Sequence, residues 1–218
     1  MQEYRTATQS LVLLAQRDLA DFWGSLNVQG SPVAVRDALL GFIPELVSAY
    51  GDASALLGAD WYDMLRDEPP SVASFSAVMS RPVDSEQAMA STRWALGPLF
   101  ADDPDDAFSL LSGSTQRLVM QPFRDTVFES GAADPRKRWF ARVPSGPTTC
   151  KFCVMVASRG FVYATAESAG ESNSWHDKCD CMVVPGTGPS DYPEGYDLAE
   201  YKRLNYEMSG IGRDLPTE

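Results

Sequence analysis

Over the first 130 residues, apolar side chains recur at spacings of three and four. Leu11, Leu14 with Ala15, Leu19, Phe22, Trp23 and Leu26 draw one stripe along residues 4–26, which predicts an amphipathic helix ending at Asn27 to Gly30. Ser31 followed by Pro32 supplies a cap and a first turn for a second helix. Its apolar positions are Val35, Leu39, Leu40, Phe42, Ile43, Leu46 and Val47. Pro44 predicts a kink or a restart. Tyr50, Gly51 and Asp52 predict a break before a further helix carrying Ala55, Leu56, Ala59, Trp61, Tyr62 and Leu65, which Asp67 to Pro70 close. Residues 71–81 are short-patterned and rich in serine and alanine. A helix over 85–100 turns Met89, Trp94, Ala95 and Leu96 inward. The acidic run Asp102 to Asp106 caps the next stretch, where negative charge complements the helix dipole. Phe108 through Phe128 then fill one or two helices up to Ser130, with Gly113 weakening the middle. Together these elements predict an antiparallel helical bundle with short connections.

After Gly131 to Pro135 the pattern changes. Arg138 to Val143 alternate and are rich in β-formers, which predicts a strand. Pro144 to Pro147 turn the chain. Cys153 to Ala157 suit a short helix ended by Gly160, Phe161 to Tyr163 a short strand, and 164–174 a polar loop that returns through Trp175. Cys181 to Val184 form a closing strand, stopped by Pro185 and Gly186. From Thr187 onward Tyr192, Tyr196, Tyr201 and Tyr206 lie among acids, glycines and prolines, with an amphipathic helix over Asp197 to Met208. Such a tail either folds on a partner or wraps its own domain.

All four cysteines and the one histidine fall in this second part, as C-x2-C and then H-x2-C-x-C: Cys150, Cys153, His176, Cys179 and Cys181. Two short chelating pairs joined by a loop have the form of a structural zinc site. The x2 pairs place their donors around one ion. The x1 pair Cys179 and Cys181 in extended backbone stands about 6.5–7 Å apart on one face, wider than tetrahedral thiolates. The expected ligands are therefore Cys150, Cys153, His176 and Cys179, with Cys181 as a neighbouring thiol or alternate ligand. An all-cysteine site with His176 beside it is the second arrangement. Two disulfides, unlinked buried thiols and a redox C-x2-C are the competing readings. The first needs an oxidising compartment, and the last a βαβ setting.

The expected fold is mainly α: a helical domain over 1–131, a small α+β zinc-stapled module over 132–186, and an extended acidic, tyrosine-containing tail over 187–218.

The net charge of −12 argues against sequence-independent binding to DNA or RNA. Arg136, Lys137, Arg138 and Arg142 form a local basic cluster, read as a solvated strand edge rather than a phosphate contact. No apolar run reaches transmembrane length, and the first residues lack the basic start of a secretion signal, so synthesis and folding in the cytoplasm are expected. The common zinc-dependent reactions fit poorly. Deaminases need H-x-E before P-C-x-x-C, and here the cysteine pair comes first. An HNH-type nuclease needs histidine as both ligand and base. A cysteine protease needs a histidine free of metal. The chain is expected not to be an enzyme.

Thr149, Cys150 and Cys153, then Gly160 to Val162, then His176, Cys179 and Cys181 resemble the C-terminal module of the phage head-morphogenesis, or MuF-like minor capsid, family, in its actinobacteriophage form. There the pattern runs T-C-x-x-C, a short strand, and H-P-x-C-R-C. The resemblance covers residues 138–185, and the helical half is similar in character only. Asp177 stands for the usual proline and Asp180 for the usual arginine; neither is a ligand. The resemblance implies a minor virion protein, made in the host cytoplasm and lodged inside the capsid. Its implied partners are the portal protein and, beyond it, the major capsid protein. Its implied role is structural, in assembly or genome packaging, or it leaves with the DNA. The other reading of the same residues is a zinc-supported binding module or a small toxin or nucleic-acid-processing enzyme.

Overall fold

The computed structural model describes residues 2–66, 75–136, 139–144, 149–162, 176–179, 181–186, 188, 192 and 196–209. The predicted features at 67–70, Lys137, Arg138, 145–147, Tyr163, the loop 164–174, Trp175, Asp180 and the chain beyond Ser209 lie outside the described residues.

Four helices dominate: α1 (Gln2–Ser25), α2 (Pro32–Leu65), α3 (Ser85–Ala95) and α4 (Pro104–Ala133), with a 3-10 turn at Pro98–Ala101. Their starts follow local chemistry. Ser31 accepts the Ala34 N–H (3.3 Å), Asp84 that of Glu86 (2.7 Å), and Asp103 that of Asp106 (3.0 Å). Each thereby satisfies an N–H that the helix leaves unpaired. Pro32 and Pro104 occupy first-turn positions where no N–H is needed. α1 runs antiparallel to α2: the Tyr4 hydroxyl donates to the Asp60 carbonyl, and that of Tyr50 to the Asp18 carboxylate (2.6 Å). α3 runs antiparallel to α4, with Gln87 against Gln121 and Ser91 against Arg117.

The restart at Pro44 and the break at Gly51 do not occur. α2 continues through Pro44 and Gly51, and α4 is one helix that includes Pro122. Packing overrides the local penalty here. Leu39, Ile43, Leu46 and Val47 keep the same face buried across Pro44. At Gly51 an added Cβ would sit 3.3 Å from Pro82, so the glycine marks close packing rather than a break. The expected helix over 85–100 stops at Ala95, and the 3-10 turn follows. Leu14 and Trp94, expected inside, are exposed, and Leu56 is exposed as well. Ala15, Ala95 and Leu96 take the inner positions.

Residues 75–84 run without regular structure along α4. Their backbone groups pair with hydroxyls spaced one turn apart on that helix. The Val78 N–H donates to Ser130 Oγ (2.8 Å) and the Ser80 N–H to Thr126 Oγ1 (3.0 Å).

The second part contains β1 (Trp139–Val143), α5 (Lys151–Ala157), β2 (Met182–Gly186) and α6 (Leu198–Ser209). β1 and β2 pair antiparallel, Ala141 opposite Val184, in a two-stranded sheet. Pro185 and Gly186, expected to stop the strand, lie within it. A two-stranded sheet has an open edge on each strand, where a proline is tolerated. Phe161 and Val162 form no strand; they follow Gly160, which takes φ +70° and ends α5. The tail folds back on its own chain. Tyr192, Tyr196 and Tyr201 follow Phe161 in a row of tilted ring contacts, and the Tyr196 hydroxyl donates to the Ala157 carbonyl.

Two hydrophobic clusters result. One lies among α1 to α4 around Leu39, Ile43, Leu96 and Leu111. The other joins Trp61, Phe123 and Val127 of the helices to Phe140, Val183 and three cysteines. Trp61 Nε1 donates to the Val183 carbonyl (3.2 Å). Asp134, just past α4, accepts from Tyr62 and Arg66 of α2 (both 2.9 Å).

Two outcomes follow. At Gly58 a Cβ would lie 2.7 Å from the Phe123 carbonyl oxygen, so the backbones of α2 and α4 touch there. Gly58→Ala is expected to cost about 1–3 kcal/mol despite its better helix propensity, measured by urea unfolding. Burial pushes the Asp125 carboxyl up from 3.8 to about 6, and Glu129 adds repulsion. The folded state holds this proton more tightly than the unfolded chain, so its contribution is full below pH 4 and lost as pH rises through 6. Asp125→Asn is therefore expected to stabilise the protein by about 1–2 kcal/mol at pH 7, with no gain over the parent at pH 4.

Candidate metal centre

Each donor owes its position to a local feature. Cys150 caps α5: its sulfur accepts the Cys153 N–H (3.3 Å), which sets the C-x2-C pair around the first turn. His176 to Cys179 form a turn closed by the Cys179 N–H on the His176 carbonyl (3.1 Å), with Lys178 left-handed at φ 63°. Cys181 leads into β2.

One face of α4 carries this turn. Lys178 Nζ reaches Ser109 Oγ (3.1 Å). At Gly113 a Cβ would stand 3.0 Å from the Asp177 Cβ, so the turn rests on the helix backbone. Gly113, expected only to weaken α4, thus makes room for the turn. Arg117 pairs with Asp177 (2.8 Å) in a partly buried ion pair. Further along, fully buried Arg124 donates through Nη2 to the Cys179 carbonyl (2.9 Å) and through Nε to that of Cys181 (3.2 Å).

The donors form two overlapping groups, Cys150 with Cys153 and His176, and Cys153 with Cys179 and Cys181. Within each group the ligand atoms lie within 4.8 Å of one another, and Cys153 belongs to both. His176 Nε2 is 3.0 Å from Cys150 Sγ and 3.3 Å from Cys153 Sγ; the Cys153 and Cys179 sulfurs are 3.7 Å apart. The last distance matches the edge of about 3.8 Å that two thiolates share on a tetrahedral zinc. The nitrogen–sulfur distances are slightly under the roughly 3.5 Å edge, so an ion needs only a small outward shift. His176 Nδ1 lies 2.8 Å from the Asp177 carbonyl oxygen. A carbonyl only accepts, so Nδ1 holds the proton and Nε2 turns its lone pair to the thiols. These residues fit a metal ion.

The thiols share their protons unequally. Hydrogen bonds from Cys153 and Cys181 hold Cys179 far below the usual thiol range, and Arg124 assists. Cys153 is pushed up chiefly by its bond to Cys179, and Cys181 by its bonds to Cys153 and Cys179. The buried side of the site is sulfur. Its outer side opens on a surface hollow of about 430 Å³ lined by Cys150, Lys151, Phe152 and His176.

Arg124 gives no sign in the sequence of its place beside the cysteines. Arg142 was expected on a solvated strand edge, yet it is 2% exposed. Its Nη2 stands 4.0 Å from Cys179 Sγ, and its guanidinium lies over the Phe152 ring (5.6 Å). Arg142 lies in a strand buried almost throughout, which its sequence alone does not show. Arg136, by contrast, stays near the end of α4, where its N–H bonds Asp134 (3.0 Å).

With this geometry in place, known proteins supply a lineage. The family model described as VG15 protein matches residues 1–208. The chain is 29% identical to the Gene 15 protein of Mycobacterium phage L5 over 262 aligned residues, covering 98% of this chain and 86% of that protein. It is 30% identical to the Gene 15 protein of Mycobacterium phage D29 over 125 residues, covering 43% of this chain and 45% of that one. No solved structure matches the chain. The family match takes in the helices, the four cysteines and the histidine together: the chain belongs to the VG15 protein family, whose relatives here are phage-encoded.

Proposed function

We propose that this protein is a minor capsid protein of a tailed phage, of head-morphogenesis type, held inside the capsid against the portal. One observation carries the reading. The motif that resembles the head-morphogenesis module, C-x2-C with H-x2-C-x-C, folds into two donor groups that share Cys153, in a chain whose relatives belong to phages. The centre holds zinc through Cys150, Cys153, His176 and Cys179, with Cys181 as the alternate donor. Zinc there acts as a staple. It ties α5 to the turn carried by α4 and adds its binding energy to folding. Burial of Cys153 and Cys179 suits a closed structural site better than one that must admit a substrate. The role is architectural: the helices dock on the portal protein and reach the major capsid protein. The negative charge keeps the protein from adhering to the packed genome.

Elemental mass spectrometry of the purified chain is expected to find one zinc per molecule. Cys150→Ser and His176→Ala should each lose it, while Cys181→Ser keeps it. A chain with no metal and oxidised thiols would end the zinc reading. For the capsid role, quantitative proteomics of purified procapsids should find the protein at a few copies per particle, cross-linked to the portal. Its absence from both procapsids and virions would reject the assignment.

A further inference from the structure

Two guanidinium groups sit beside the thiols with almost no solvent contact. Arg124 is 0% and Arg142 2% exposed. They come from different elements, α4 and β1, and converge on Cys179. Arg124 holds its carbonyl and that of Cys181; Arg142 approaches its sulfur. Each positive charge opposes the other's presence, and the acidic groups acting on Arg124 are Cys179, Cys181 and Asp125. Two buried cations brought together in this way are costly unless negative charge lies between them. A divalent ion bound by three thiolates and a neutral histidine carries one net negative charge, and by four thiolates two. The sulfur cluster supplies such negative charge beside both arginines.

We infer that Arg124 and Arg142 are positioning residues for the metal centre, balancing its thiolate charge and fixing the backbone of Cys179 so that a divalent thiophilic cation binds tightly. This rests on the metal reading above. The two contributions differ in kind. Arg124 uses its fork to set the carbonyls of two cysteines. Arg142 supplies charge near the sulfur and bears on Phe152, whose ring meets that of His176 edge-on (5.8 Å). Both ends of the donor set therefore touch the arginine pair, one directly and the other through an aromatic ring.

The test uses the full chain and zinc itself, in competition with a chromophoric chelator. Cobalt substitution reads the thiolate-to-metal absorption. Arg124→Gln and Arg142→Gln are each expected to lose zinc affinity by about 10- to 100-fold, as loss of a group supporting a ligand does. Arg142→Lys, which keeps the charge, should stay near the parent. The glutamine variants should also lose more melting temperature with zinc than with chelator. Parental zinc affinity in folded glutamine variants, with equal loss of stability in both conditions, would make the arginines mere anchors and overturn the inference. Should the glutamine variants not fold, Arg142→Lys decides: retained affinity supports the inference, and a tenfold loss overturns it. A parent chain that binds no zinc fails at an earlier step, and the metal reading falls together with the inference.

Discussion

Arg124 leaves the middle of α4 with no access to solvent and ends on two carbonyl groups of the segment that carries Cys179 and Cys181. A guanidinium survives such burial only when oxygen acceptors and negative charge surround it. That requirement ties the helical half to the cysteine half. A shift of β2 by one residue would remove the carbonyls from Arg124 and turn Val183 away from Trp61. The β1–β2 ladder and the contacts of the turn with Ser109, Gly113 and Arg117 hold the same segment in the same place.

α4 is the common wall of the molecule. Toward its start it contributes Ala107 and Leu111 to the cluster shared with α1, α2 and α3; further on, Phe123 and Val127 enter the cluster that contains the cysteines. Along another side its hydroxyls pair with the backbone of 78–80. A helix so thoroughly engaged continues past Pro122, because the packing around it outweighs one missing hydrogen bond.

Much of this was legible in the sequence where the signal is local. Ser31 with Pro32, and Asp103 with Pro104, start helices because capping needs only neighbours. The four cysteines and the histidine stood out because no other thiol or imidazole occurs in the chain, and the structure brings them into two adjoining groups that could hold a metal ion. The reading faltered where tertiary contact decides. Pro44 and Gly51 look like breaks until the other helices supply the compensating packing. Trp94 looks like core, but its neighbours Ala95 and Leu96 face inward. Arg142 looks like surface because a lone strand cannot show what lies across it. Arg124 gave no sign at all, since an arginine on a helix is ordinarily solvated and only the distant Cys179 makes it otherwise.

Trp61 offers a consequence of a different kind. Its indole is wholly buried, bonded to the Val183 carbonyl and packed against Tyr4 at 5.1 Å, on the seam between helices and sheet. Indole emission reddens when water reaches the ring. Trp61 is one of five tryptophans, so in a chain whose other four are replaced a parting of the cysteine-bearing half from the helices changes the colour of the fluorescence without any added label.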